Sequence, residues 1–158
     1  MTTAKEREQV NDLLNDYVWY IDTDRLEEWI DFFTDDCTYK IIPRENVEQN
    51  LPGVVVLCEN KNQLTDRIVS YREANEYNLH YDRHVISNPR ISGGEEKATF
   101  RVLSNYAVYQ TNLDGESRLF SVGYYDDLII YENGSPKFKE KTVVVDTYSI
   151  PTLLATPI

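Results

Sequence analysis

The stretch from Arg83 to Tyr148 constrains the fold more than any other part of the chain. Its turn signals are Ser92-Gly93-Gly94, Asp114-Gly115 and Asn133-Gly134, and the last two are dipeptides that tolerate the positive φ of tight hairpins. Four strands joined by three such turns form a meander. The runs Lys97 to Thr111, Arg118 to Tyr131 and Lys137 to Tyr148 are much longer than a usual strand of about five or six residues, so the sheet must twist and curl. Alternation places Phe100, Val102, Ser104, Tyr106 and Val108 on one face. In the next strand it selects Phe120, Val122, Tyr124, Leu128 and Ile130, interrupted by Asp126. The opposite face carries Leu103, Ala107, Tyr109, Tyr125 and Ile129, more apolar surface than solvent favours, and it is expected to meet another chain.

The elements before the meander read as its cover. Val10, Leu13, Leu14, Tyr17, Val18 and Ile21 recur at spacings of three and four, which predicts a helix from Glu6 with one buried stripe. Asp22-Thr23-Asp24 interrupts that helix, and Asp24 and Glu27 are spaced as the cap of a second helix bearing Leu26, Trp29, Ile30 and Phe33, which Thr34-Asp35-Asp36 ends. Cys37 to Ile42 reads as a strand stopped by Pro43, and Val54 to Cys58 as another. Asn60 and Gln63 open a third helix with Leu64, Ile68 and Tyr71 on one side, and an irregular segment runs from Arg72 to Tyr81. Helix, helix, strand pair, helix, meander predicts an α+β cone: one domain over residues 1–158, a curved antiparallel sheet with N-terminal helices in its concave face. At 158 residues such a domain buries about 70% of the surface its unfolded chain exposes.

Charge narrows the partners. The formal net charge is −11, from 27 acidic and 16 basic residues without a basic cluster, which disfavours nucleic acid and anionic membranes. No apolar run approaches the roughly 20 residues of a membrane span, and Met1 to Glu6 lacks a signal-peptide core, so a cytoplasmic location is expected. Cys37 and Cys58 each fall inside a strand and read as buried free thiols.

Asp24-Arg25-Leu26-Glu27-Glu28-Trp29, followed by Phe32 to Tyr39, resembles the second helix and first strand of the NTF2-like superfamily. Leu64 to Ile68 with Arg72 to Asn75, Tyr81 to Asn88, and Phe138 to Lys141 with Asp146-Thr147 look more specifically like the small, or β, subunit of aromatic-ring-hydroxylating oxygenases. The likeness runs in order along nearly the whole chain. It looks closest to subunits working on carboxylated rings, of the salicylate 5-hydroxylase, anthranilate and terephthalate dioxygenase kind. The resemblance implies a non-catalytic structural role in a hexamer of three α and three β subunits, with β–β contacts in a trimer. It also implies that the Rieske [2Fe-2S] cluster and mononuclear Fe(II) sit in the α subunit, fed from NAD(P)H by a reductase. A Rieske site takes two Cys and two His, and the mononuclear iron two His and a carboxylate. Cys37, Cys58, His80 and His84 have neither that spacing nor that of a zinc knuckle, so no metal is expected in this chain.

Two other readings start from the residues. In the first, the cone is itself a small dehydratase or isomerase: His84 is the general base, oriented by Asp82 or Asp36 and helped by Tyr17 or Tyr20. Against it, the strand position that carries a catalytic carboxylate in ketosteroid-isomerase-like relatives falls at about Ile41, and a scytalone-type dehydratase needs two pocket histidines. A buried imidazole hydrogen-bonded within the subunit, or across an interface, is the structural alternative for His84. In the second reading the cone is a homodimer holding a small apolar ligand. For a subunit role, Arg67, Arg72 and Arg83 are interface candidates, Arg83 as a bidentate contact, beside the alternative of ordinary surface salt bridges. Tyr109 and Tyr125, among twelve tyrosines, offer contact area with a polar handle. Leu153 and Leu154 belong to an apolar tail, Ile150 to Ile158, that is expected to be packed and to support assembly. An acidic chain would also repel an aromatic carboxylate at long range, which places substrate binding elsewhere.

Overall fold

The computed structural model describes residues 2–73, 79–147 and 156–158. The first helix, α1 (Ala4–Asp22), buries Val10, Leu13, Leu14, Tyr17, Val18 and Ile21, the whole stripe that its spacing predicted. Thr3 and Glu6 start it with a reciprocal capping box, which satisfies donors that a helix end otherwise leaves open. A single turn, α2 (Leu26–Trp29), runs through a 3-10 turn at Ile30–Phe32 into β1 (Phe33–Pro43). A short helix absent from the sequence reading, α3 (Arg44–Glu48), and β2 (Val56–Cys58) precede α4 (Lys61–Glu73). Asn60 Oδ1 accepts the Gln63 N–H at 3.0 Å, as their spacing predicted.

The cap expected of Asp24 and Glu27 does not form. Asp24 lies in the left-handed region at φ 58°, and α2 has no side-chain cap. Both carboxylates turn instead to Arg72 on α4: Nη1 reaches Asp24 at 2.8 Å and Nε reaches Glu27 at 2.7 Å. Arg72 is thus a clamp between α4 and the turn before α2.

The meander has one strand more than predicted, because Ser87-Asn88-Pro89 divides its first arm into β3 (His80–Ile86) and β4 (Arg90–Gly93), which both pair with β5 (Thr99–Asn112). β6 (Ser117–Glu132) and β7 (Ser135–Val145) complete it, and Asn133 and Gly134 both have positive φ in the tight turn between them. The order across the sheet is β2-β1-β7-β6-β5-β3, with β4 beside β5. All pairings are antiparallel except β1 with β7, where the chain returns from α4 and the meander and lays its last strand parallel to its first.

Phe100, Val102, Ser104, Tyr106 and Val108 of β5 face the core as predicted. In β6 the predicted face is inverted. Val108 pairs with Ser121 and Tyr109 with Leu119, so Phe120 is an extra residue in a bulge, and both Phe120 and Ser121 are buried. Beyond the bulge Tyr125, Asp127 and Ile129 point inward, while Val122, Tyr124, Leu128 and Ile130 face outward and stay partly exposed. Tyr125 is therefore a core residue at 1% exposure, not an interface residue, and Ile129 is buried with it. Gly123 on β6 lies against the β7 backbone: a Cβ there would stand 1.9 Å from the Val144 carbonyl oxygen. Leu103, Ala107 and Tyr109 do lie on the outer face, with exposed Leu103 and Tyr109.

Candidate functional site

Three sets of buried polar groups stand out among the described residues. The first joins α1 to the edge strand β3. His84 has a fully buried side chain; its backbone N–H donates to Asp22 Oδ2 at 2.8 Å, and its Nδ1 lies 2.5 Å from Asp22 Oδ1. Asp22 is the last residue of α1, so this pair fixes the helix end against a sheet edge and occupies an edge N–H that would otherwise be open to another strand. The residue that orients His84 is Asp22, neither Asp82 nor Asp36. Asp82 lies 3.3 Å from His80 Nε2 and accepts from Thr156 Oγ1 at 3.1 Å. Asp36 is exposed and bound to Lys139 and Thr34, which hold its carboxyl below the usual range. Tyr20 packs edge-on against Phe32 beneath the Arg25 guanidinium. The proposed set of His84, Asp36 and Tyr20 is thus divided among three separate networks. Only the reading of Asp22 as an interruption between helices drew attention to that residue, and no local pattern ties it to a position 62 residues away.

The second set is an ion pair in the middle of the sheet. Asp127 and Lys141 are cross-strand partners on β6 and β7, both 0% exposed, with Nζ to Oδ2 at 3.0 Å. The ammonium lies 3.5 Å from the Tyr125 ring centroid, 4.2 Å from Tyr17 and 4.8 Å from Phe138, so aromatic faces replace part of its lost hydration. Burial pushes the Asp127 carboxyl up to about 6 against the pull of Lys141, and pushes Lys141 down to about 8 against the pull of Asp127.

The third set surrounds Ile158. Tyr17 Oη donates to the Ile158 main-chain oxygen at 2.8 Å and Tyr39 Oη lies 3.2 Å from the same atom, while the Ile158 N–H donates to Tyr39 Oη at 3.3 Å. Tyr17, Tyr39 and Ile158 are all buried. Desolvation raises the Tyr17 phenol well above its ordinary value and Tyr39 to about 12, so both keep their protons for hydrogen bonding.

The thiols and imidazoles do not form a metal site. Cys37 and Cys58 lie on β1 and β2 at one end of the strand order and His80 and His84 on β3 at the other. Burial raises both thiols, Cys37 to about 11, away from the thiolate a metal requires. Among the described residues no group of three or more His, Cys, Asp or Glu converges as a metal site, so a Rieske cluster or mononuclear iron does not fit these residues.

The interface candidates are dispersed. Arg83 is exposed, with its guanidinium 5.9 Å from the exposed Trp19 ring, and its outward neighbour across the strands is Tyr109. Arg67 is half-buried on α4, where its charge lowers the Tyr39 and Cys58 values against the larger effect of burial. Leu153 and Leu154 lie outside the described residues. Among the described residues no helix is long and apolar enough to cross a membrane.

A helix-filled cone with a polar interior tied into its own packing defines an NTF2-like α+β protein. The sequence model for the ring hydroxylating beta subunit matches residues 18–152. The chain is 42% identical over 146 residues to the anthranilate 1,2-dioxygenase small subunit of Burkholderia cepacia, covering 92% of this chain and 90% of that one. It is 34% identical to terephthalate 1,2-dioxygenase terminal oxygenase component subunit beta 1 of a Comamonas species, covering 90% and 92%. A crystal structure described as the β subunit of an aromatic-ring-hydroxylating dioxygenase from Novosphingobium aromaticivorans superposes with TM-score 0.87 at 40% identity, covering 96% of both chains. The chain belongs to the β subunits of aromatic-ring-hydroxylating oxygenases, and as such is part of an oxidoreductase complex.

Proposed function

We propose that this β subunit is a structural element of an oxygenase acting on a carboxylated aromatic compound, in which three copies form a ring against three catalytic α subunits. The reading assigns the Rieske cluster, the mononuclear iron and the substrate pocket to α, with electrons arriving from NAD(P)H through a reductase, all in the cytoplasm. Similarity to small subunits of anthranilate and terephthalate dioxygenases supports the substrate class.

The observation that carries the structural role is the outer face of β3 and β5. Tyr81, Val85, Leu103 and Tyr109 are 67%, 55%, 39% and 43% exposed, a run of apolar and aromatic surface beside Arg83. An adjoining groove is lined by Arg90, Leu103, Asn105, Tyr124 and Asp126. Aromatic residues with an Arg at hand suit the centre of a protein interface. The inner face carries tightly bonded polar groups whose partners are structural.

Co-expression of the chain with its neighbouring α gene, followed by light scattering and iron analysis, tests the reading. A particle of equal parts with three of each chain is expected, with iron and its colour present only when α is present. Tyr109→Asp should prevent that particle while leaving the isolated chain folded. A chain that ignores α, or an intact complex with Tyr109→Asp, overturns the respective part of the reading.

A further inference from the structure

A second apolar surface lies open at the far end of the sheet from β3 and β5. There the chain after β1 exposes Val47, Leu51, Val54, Val55 and Leu57 by 39–49%, as much as Leu103 and Tyr109. Its own backbone holds this segment. The Leu51 N–H donates to the Asn46 carbonyl at 2.8 Å, Asn46 Nδ2 donates to the Gly53 carbonyl at 2.7 Å, and the Val55 N–H donates to the Ile41 carbonyl of β1 at 2.8 Å. β2 and β3 stand at opposite ends of the strand order, so the two patches lie about 24 Å apart along the sheet and cannot cover each other within one chain. Their free charges differ in sign. Beside β3 and β5, Arg83 and Arg90 are exposed without an ion pair among the described residues, since Asp126, in the groove with Arg90, is taken by Arg101 at 2.7 Å. At the β2 end Glu45 and Glu59 are exposed without one, while Glu48 is taken by Arg44. Half-buried Lys40, across from Leu57, offsets only part of that negative charge.

We propose that these patches are the two halves of one interface: in the ring of three, on which this inference rests, the β2 end of each copy covers the β3 and β5 face of the next. A closed ring of three cannot be built from one self-complementary patch, which yields two-fold pairs. Each copy must turn different surfaces to its two neighbours. The two ends of this sheet meet that condition in hydrophobicity and in sign of charge. Val55 and Leu57 set aliphatic side chains against Tyr81, Val85 and Tyr109, and the carboxylates of Glu45 and Glu59 answer the guanidinium groups of Arg83 and Arg90. Asp22 already holds the His84 N–H on the edge of β3, so the contact runs through outer-face side chains and the sheet does not continue from copy to copy.

The test is made in the particle co-expressed with α, so that the ring reading and this inference can fail separately. Val55→Cys and Val85→Cys are carried by separately tagged chains; the native Cys37 and Cys58 are buried, and the wild type serves as the blank. A flexible bismaleimide should join the two tagged chains when both are present and leave particles carrying either variant alone uncoupled. A chain with both substitutions should give covalent trimers, the sign of a closed ring. Coupling of either variant with itself, or a particle with three of each subunit in which the mixed variants never couple, overturns the inference and leaves the ring reading standing. If no particle with three copies forms, both fall. Charge gives a second readout. Arg83→Glu with Arg90→Glu in the Val85→Cys chain should cut the mixed product about tenfold at low salt, and Glu45→Lys with Glu59→Lys in the Val55→Cys chain should restore it. A yield that ignores the first change, or that the second does not restore, overturns the pairing of the two ends.

Discussion

Replacing Lys141 by Met tests how the centre of the sheet is held together. Met approximates the length of the side chain and keeps its contacts with Tyr17, Tyr125 and Phe138, but it strands the Asp127 carboxylate at zero exposure. Removing one partner of a buried ion pair costs roughly 3–5 kcal/mol. At about 2–4 °C per kcal/mol for a chain of this size, the melting temperature should fall by roughly 6–20 °C. The pH dependence separates loss of charge from loss of packing. In the wild type, the folded Asp127 value of about 6 lies above the unfolded one, so the folded state holds the extra proton and stability falls as pH rises toward 6. Stability should then stay level until Lys141, with a folded value of about 8 below its unfolded one, begins to lose its proton. Above that point the unfolded state holds more protons and stability rises. Without the cation, Asp127 keeps its proton to higher pH, so Lys141→Met should continue to lose about 1.4 kcal/mol per pH unit between pH 6 and 8. Urea unfolding of the isolated chain across that interval, followed by tryptophan fluorescence, provides the measurement. Parallel pH profiles for wild type and variant, or a loss below about 1 kcal/mol, would refute the argument. A double variant, Asp127→Leu with Lys141→Met, should recover most of the loss, since a well-packed apolar pair is often neutral or stabilising.

Gly123→Ala should cost about 3 kcal/mol or more, because its Cβ meets the Val144 backbone rather than a yielding side chain; near-wild-type unfolding would show that β6 and β7 can separate locally. His84→Ala should lower the isolated chain's stability by about 1.5–3 kcal/mol through loss of the charge-assisted bond to Asp22, again measured by urea unfolding. In the assembled oxygenase the same variant should leave turnover per iron unchanged. A tenfold fall in turnover with the complex intact would give His84 a role in the chemistry.

Where the structure departs from the sequence reading, the missing information lay in another strand. Asp127 looks like a residue for solvent until Lys141 stands opposite it, and Phe120 looks in phase with Tyr124 until a bulge places two successive residues inside. Asp22 reads as a break between helices, yet it holds the buried imidazole of β3. Resemblance in ordered segments along the chain was enough to reach the family, because it compares the sequence with chains that already share these long-range solutions.

The sequence by itself determined the elements whose signals are local. The stripe of α1 follows a 3.6-residue period, the core face of β5 follows a two-residue period, and the turn at Asn133-Gly134 follows from the cost of positive φ. Only the tertiary structure decided the parallel join of β1 to β7, the inverted face of β6, the buried Asp127–Lys141 pair and the seat of Ile158 between Tyr17 and Tyr39. A periodic pattern reports which side of one element is apolar. It carries no term for a partner many residues away, and it is that partner which makes a charge or a main-chain amide stable in the core.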